Sequence, residues 1–463
     1  MPVCLRISHR QNTRWYDGSK GYRLKAEYNA GVLMKRILFL SLMAFLLLLP
    51  NSGVAKVYID IGGPAFRPFP IAVISFEDIS PVSGDRTRPM HTVLMNDLTI
   101  SGLFDIIDPG SFPQWQPKER LSEVEYQQWL ETGAEAVVWG NVVEEGGRVN
   151  VHFWFLDLIE RRLTTGRYSG NAGKLRHIVH RIGNEIVRQV TGAKGVFETR
   201  IAYVSKKTGN KEIRAIDFDG YNPAPITSNG SINLSPAWSP DGRTIAYTCF
   251  KRRNPDLYFI DVSEKHHRLF LGAAGLNAAP AWSPDGRRLA FMMRKGANSE
   301  IFLVNRDGSN LVQLTHTRHF EASPTWSPDA KRLAFVSDRT GSPQVYVMDI
   351  ASKKTSRLTY NGSYNASPDW SSRGDRITYC GRLDRRFDIF TIRADGSENL
   401  MLTSEAGNNE DPVWSPDGRY IAFSSTRMGS PHVFVMNAYG TNQRRLTRNE
   451  GGETQPTWSP KME

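Results

Sequence analysis

Six tryptophans recur at one fixed interval. Trp238, Trp282, Trp326, Trp370, Trp414 and Trp458 are each 44 residues apart. A proline stands two positions before each one, from Pro236 to Pro456. The residues that follow read Ser-Pro-Asp-Gly at Ser239–Gly242, Ser283–Gly286 and Ser415–Gly418. Within each period come an apolar run such as Ile245–Thr248, a second run such as Ile301–Val304, a turn with Asp or Gly, and a short segment ending in Leu-Thr. With the P-x-W segment, that makes four short strands in 44 residues. A unit of this size cannot bury its apolar face alone, and four strands per 40–45 residues is the blade of a β-propeller. The spacing therefore predicts an all-β six-bladed propeller built from 44-residue repeats over residues 200–463.

The two ends of the array are offset. Ile201–Val204 starts it with no P-x-W strand before it, and Pro456–Trp458 ends it with no strand after. The last P-x-W strand can complete the first blade, which would remove exposed sheet edges. In the Ser-Pro-Asp-Gly turns, proline presets φ and glycine suits the last position. A calcium loop would need several converging carboxylates. Here each turn offers one, and Arg373 and Lys461 replace it in two copies, so no metal is expected. The tryptophans read as packing between blades. Cys249 and Cys380 fall in the second and fifth repeats, too far apart for a disulfide.

Ahead of the array the texture changes. Lys35 and Arg36 precede the apolar run Ile37–Leu49, and Gly53 and Ala55 follow at cleavage-site spacing. This is the order of a secretory signal over 34–55. The run is shorter than a membrane span requires, so no stable membrane insertion is expected. Residues 1–33 read as an extension ahead of an initiator at Met34. The formal charge of +11 could suggest nucleic acid, but residues 1–55 carry eight basic and two acidic side chains. The remainder is dispersed, so no nucleic-acid partner is expected.

Residues 56–192 read as an α/β N-terminal domain. Strands are expected at Pro70–Phe76, Ala136–Val143 and Val149–Leu156, the last two paired around Gly146-Gly147, with the apolar segment Leu103–Ile107 following the first helix. Helices are expected at Met90–Ile100 and Tyr126–Leu130. Leu175, Ile178, Val179, Ile182, Ile186, Val187 and Val190 mark one face of a further helix. His177 and His180 read as belonging to its solvated face. Gly192–Gly195 reads as the hinge to the propeller.

No G-x-S-x-G, G-x-G-x-x-G, P-loop or H-E-x-x-H pattern occurs, so neither catalytic residues nor a cofactor is assigned. The alternative is a propeller lyase or hydrolase acting on periplasmic glycans, with its acid/base pair in the lumen. The order of signal, α/β domain and P-x-W-S-P-D-G repeats, with Ser101–Pro109 (SGLFDIIDP) and Gly133–Val142 (GAEAVVWGNV), resembles the TolB family of the Tol–Pal cell-envelope system.

That resemblance implies a non-catalytic periplasmic scaffold supporting outer-membrane integrity and envelope constriction during division. It implies a TolA-like inner-membrane partner held by the start of the mature chain, Lys56, Val57, Tyr58, Ile59 and Asp60. It also implies a Pal-like peptidoglycan-associated lipoprotein bound by the propeller. If the P-x-W strands are innermost, the residues before each proline crowd the channel rim. Three positions before proline these are Asn233, Asn277, Glu321, Asn365, Asn409 and Glu453. One position before it they are Ser235, Ala279, Ser323, Ser367, Asp411 and Gln455. Both columns are expected to receive the Pal-like partner.

Overall fold

The computed structural model describes residues 66–82, 84–114, 122–404, 407–448 and 452–461. The expected extension, the signal and the segment Lys56–Asp60 lie outside the described residues.

The N-terminal domain is a mixed sheet covered by helices. Its elements are β1 (Phe69–Val73), β2 (Glu77–Asp78), α1 (Thr87–Ser101), β3 (Phe104–Ile106), α2 (Glu123–Glu131), β4 (Ala136–Glu145), β5 (Arg148–Asp157), β6 (Arg162–Asn171) and α3 (Leu175–Thr191). The sheet order is β3-β1-β4-β5-β6, with β2 beside β4. β1 runs parallel to β3 and β4, and β4, β5 and β6 are antiparallel. Gly146 and Gly147 both take positive φ, 57° and 75°, which the two-residue hairpin between β4 and β5 requires. Ile178, Val179, Ile182, Ile186 and Val187 bury one face of α3. Gly192 ends that helix at φ 74°, its N–H donating to the Arg188 carbonyl.

Six four-stranded antiparallel sheets follow. In the first, the C-terminal strand Thr454–Trp458 pairs with Arg200–Ser205, so the two ends of the array share one blade. The backbone amide of Ser459 donates to the Arg200 carbonyl at 2.8 Å, and that of Arg200 to Ser459 Oγ at 2.9 Å. Blades two to six begin at Asn233, Asn277, Glu321, Tyr364 and Asn409.

The tryptophans sit between blades. Trp282 packs with Ala246, Leu257 and Phe259 of the preceding blade, and its indole N–H donates to the Ala237 carbonyl at 3.2 Å. Trp326 repeats this one blade on, donating to Ala281 at 3.1 Å. Cys249 and Cys380 are buried free thiols.

One apolar core continues from the N-terminal domain into the propeller. It holds Leu98, Ile182 and Phe197 together with Phe218, Tyr420, Leu446 and Trp458. Tyr420 Oη donates to the Ser101 carbonyl at 2.8 Å across the same boundary. The N-terminal domain thus sits on the face made by the turns after the P-x-W strands. The opposite face, where those strands begin, is the mouth.

Candidate functional site

The P-x-W strands are innermost and surround a central channel of about 380 Å³. Each carries a bulge at the same place. The pairing register shifts between Leu234 and Ala237, and at the equivalent step of every other blade. Proline has no N–H for the ladder, so the bulge falls where a donor is missing anyway. The residue just before it adopts the left-handed conformation in all six copies. Ser235, Ala279, Ser323, Ser367, Asp411 and Gln455 have φ of 48° to 52°. These six are half-buried and line the channel. Two of the bulged amides find side-chain acceptors on the preceding blade: Ser235 donates to Gln455 Oε1 at 2.9 Å, and Ala279 to Thr248 Oγ1 at 3.2 Å.

The column three positions before proline is elsewhere. Asn233, Asn277, Glu321, Asn365, Asn409 and Glu453 are almost wholly buried, so the expectation that they crowd the rim is corrected. They clasp the blades together. Asn233 donates to Glu212 Oε2 at 2.9 Å, Asn365 to Gln344 Oε1 at 2.8 Å and Asn409 to Asp388 Oδ1 at 3.1 Å, each on the preceding blade. The threonine of the Leu-Thr pair donates to the same acceptors, as Thr359 does to Gln344 at 2.8 Å and Thr403 to Asp388 at 2.9 Å. Asn277 instead donates to the Ala273 carbonyl at 2.7 Å. Glu321 accepts from Ser337 Oγ at 3.0 Å and from Arg339 at 2.9 Å. Glu453 lies 3.0 Å from His432 Nδ1, and burial pushes its carboxyl up to about 7. Buried polar groups are usually paired, and most partners here are internal, although Asn277 Oδ1, Glu321 Oε2 and Glu453 Oε1 have none among the described residues. Because the column is buried, a visitor at the mouth does not reach it.

The channel also takes a residue that sequence reasoning missed. Asp369, at the x of its P-x-W, lines it together with Thr325. Its carboxylate accepts from the Trp414 amide at 2.8 Å and from Thr325 Oγ1 at 3.3 Å. Burial raises its pKa to about 6, and raises that of Asp411 as well. The signal was available, since every x residue faces the same way as the residue two before it on a pleated strand.

A second polar cluster lies at the domain boundary. His180 is buried, not solvated, which corrects the expectation for α3. His177 does remain half-exposed beside Glu198. His180 Nδ1 is 2.7 Å from Asp97 of α1 and its Nε2 is 3.6 Å from Asp219 of the propeller. The three could hold a metal by proximity. However, Arg176 already pairs with Asp219 and lies over the Tyr221 ring, so the carboxylate is neutralised from within the chain. Burial raises the pKa of Asp97. The cluster joins the two domains.

These features define a six-bladed propeller: a ring closed by its C-terminal strand, capped on one face by an α/β domain and open at the other. The family models for the TolB beta propeller domain and the TolB amino-terminal domain match residues 187–462 and 57–164. The chain belongs to the TolB family. It is 38% identical over 220 residues to the Tol-Pal system protein TolB of Desulfosudis oleivorans, covering 46% of this chain and 50% of that one. It is 38% identical over 214 residues to the protein of the same name from Syntrophotalea carbinolica, covering 45% and 49%. The chain thus spans about half the length of the curated relatives it matches. The crystal structure of TolB from Acinetobacter baumannii superposes with a TM-score of 0.75 at 25% identity, over 85% of this chain and 97% of that one. Among the described residues no helix is long and apolar enough to cross a membrane.

Proposed function

We propose that the chain is a non-catalytic periplasmic scaffold of a Tol–Pal system, binding a Pal-like lipoprotein at the propeller mouth and a TolA-like protein through Lys56–Asp60. Such a link would support outer-membrane integrity and constriction during division. The observation that carries the reading is the ring of six channel-lining residues on bulged backbone, Ser235, Ala279, Ser323, Ser367, Asp411 and Gln455. Side chains there are small or polar and reach an open channel, the arrangement that receives a protruding protein loop. Family membership supports the same assignment, and the buried column behind the ring holds it rigid.

The test is the pair Ala279→Arg and Ser323→Arg. The bulge already accepts the long side chain of Gln455 in the same conformation, so the substitutions are sterically tolerable for the backbone. Binding of the soluble Pal-like domain should be lost by calorimetry, with the melting temperature nearly unchanged. Affinity equal to that of the parent places the partner elsewhere. Deleting Lys56–Asp60 should abolish TolA-like binding and spare Pal-like binding. Retained TolA-like binding rules that segment out.

A further inference from the structure

Among the described residues, the loops joining strands two and three around the mouth differ in charge from the turns of the opposite face. Asn233 pairs with Cys249, the last residue of the second strand. Each P-x-W strand therefore starts beside the hairpin loop that joins strands two and three, and those loops surround the mouth. In the first two blades they expose Lys206, Lys207, Lys251, Arg252 and Arg253. Arg294 continues the series in the third blade, and Arg382 and Arg385 in the fifth. None of these eight makes an ion pair with a described carboxylate. Among the described residues of the same loops, only Asp384 is an exposed acid, and the half-buried Asp338 faces His319 at 3.5 Å. The turns on the opposite face alternate signs instead, as in Asp241 with Arg243 and Asp285 with Arg287.

Inside the basic crown runs an apolar arc. The position four before proline is Ile232, Leu276, Phe320 and Tyr364 in four successive blades. Ile232, Phe320 and Tyr364 are 43%, 45% and 37% exposed. Unpaired cations around exposed apolar side chains on a concave face mark an interaction surface whose partner is complementary in sign. A flat bilayer cannot enter the channel at its centre, whereas a protein loop can.

We propose that the mouth docks an acidic protein segment carrying apolar anchors. Its carboxylates meet the crown and its apolar side chains meet the arc. This rests on the mouth being the Pal-binding face, and adds that the partner surface is negatively charged.

The probe is a labelled glutamate-rich peptide with interspersed phenylalanines, followed by fluorescence anisotropy on the mature chain. Its lysine counterpart and phosphatidylglycerol vesicles are the comparisons. Binding of the glutamate peptide should weaken as salt rises from about 0.05 to 0.2 M. It should fall about tenfold or more in the variant Lys251→Glu/Arg252→Glu/Arg253→Glu, and stay unchanged in Arg243→Glu/Arg287→Glu on the far face. Circular dichroism confirms that both variants fold. Equal binding by the crown variant, equal binding of the lysine peptide, or capture by vesicles without peptide binding each overturns the proposal. The Pal-like domain separates the two readings. If it binds the Ala279→Arg/Ser323→Arg variant normally while the crown variant loses the peptide, the mouth assignment for Pal fails and the crown stands. If the mouth variant loses the Pal-like domain and the crown variant keeps both ligands, the crown alone fails.

Discussion

Six non-glycine residues hold left-handed backbone at the channel, and each pays a conformational cost of about 1 kcal/mol. The repeat shows why they persist: a proline follows every one, and for Ser235 and Ala279 the neighbouring blade supplies an acceptor for the displaced amide. A β-branched side chain fits this conformation worst. Ala279→Val is expected to cost about 1–2 kcal/mol, and Ala279→Gly to be neutral or slightly stabilising, by urea denaturation. Asp369 makes a second prediction. Burial holds its folded pKa near 6, above the unfolded value near 4. Its contribution to stability is therefore complete below about pH 4 and is lost as pH rises through about 6. Asp369→Asn should then exceed the parent in stability by about 1 kcal/mol at pH 8, a figure reduced because the side chain borders an open channel. The advantage should vanish near pH 4. The column of small or polar residues before proline was legible in the sequence, because repetition aligned it. The burial of Asn233 and its equivalents was not, because nothing in the local sequence says that Glu212 or Gln344 on the preceding blade will reach them.

At the scale of elements, the tryptophan-bearing strands and the interdomain helix behave differently. Trp326 packs on Ala290, Ile301 and Leu303 of the preceding blade, with Arg288 over its ring at 5.0 Å. Trp326→Ala should cost about 3–5 kcal/mol, as large-to-small changes in a close-packed interior do. The strands of the repeat were readable from period and turn chemistry. β6 was not: its sequence RLTTGRYSGN is mostly polar, and its residues are largely exposed or half-buried, so it holds its place by pairing with β5 along its whole length. Periodicity placed α3 correctly but said nothing of what covers its other side. There His180 meets Asp97 and Asp219. His180→Ala leaves the Asp97 carboxylate buried without its ring partner, and should cost about 2–3 kcal/mol. The loss should appear in calorimetry as an earlier transition of the N-terminal domain. His177→Ala, on the exposed side, should stay within about 0.5 kcal/mol.

At the scale of the whole molecule, the fold depends on its C-terminal strand. Thr454–Trp458 supplies the innermost strand of the first blade, pairing Thr457 with Ala202 and Trp458 with Ile201. Trp458 also lies against Phe218 and Tyr420, with ring centroids 5.9 Å and 6.4 Å away. Its indole N–H donates to Thr199 Oγ1 at 2.8 Å. The same tryptophan belongs to the core shared with the N-terminal domain, so ring closure and domain seating use one side chain. Removing everything from Thr454 onward exposes a full strand edge on the first blade and deletes the buried Trp458 indole, whose burial contributes about 4–6 kcal/mol at about 25 cal/mol per Å². That is comparable to the whole stability of many domains. The truncated chain should therefore lose its cooperative thermal transition, or melt more than about 10 °C lower. It should also lose protection of the N-terminal domain in hydrogen exchange. Trp458→Ala in the full-length chain separates the two contributions, because it keeps the strand and removes only the ring, and it should cost about 3–5 kcal/mol. A truncated protein that melts with the parent would refute closure of the ring by this strand.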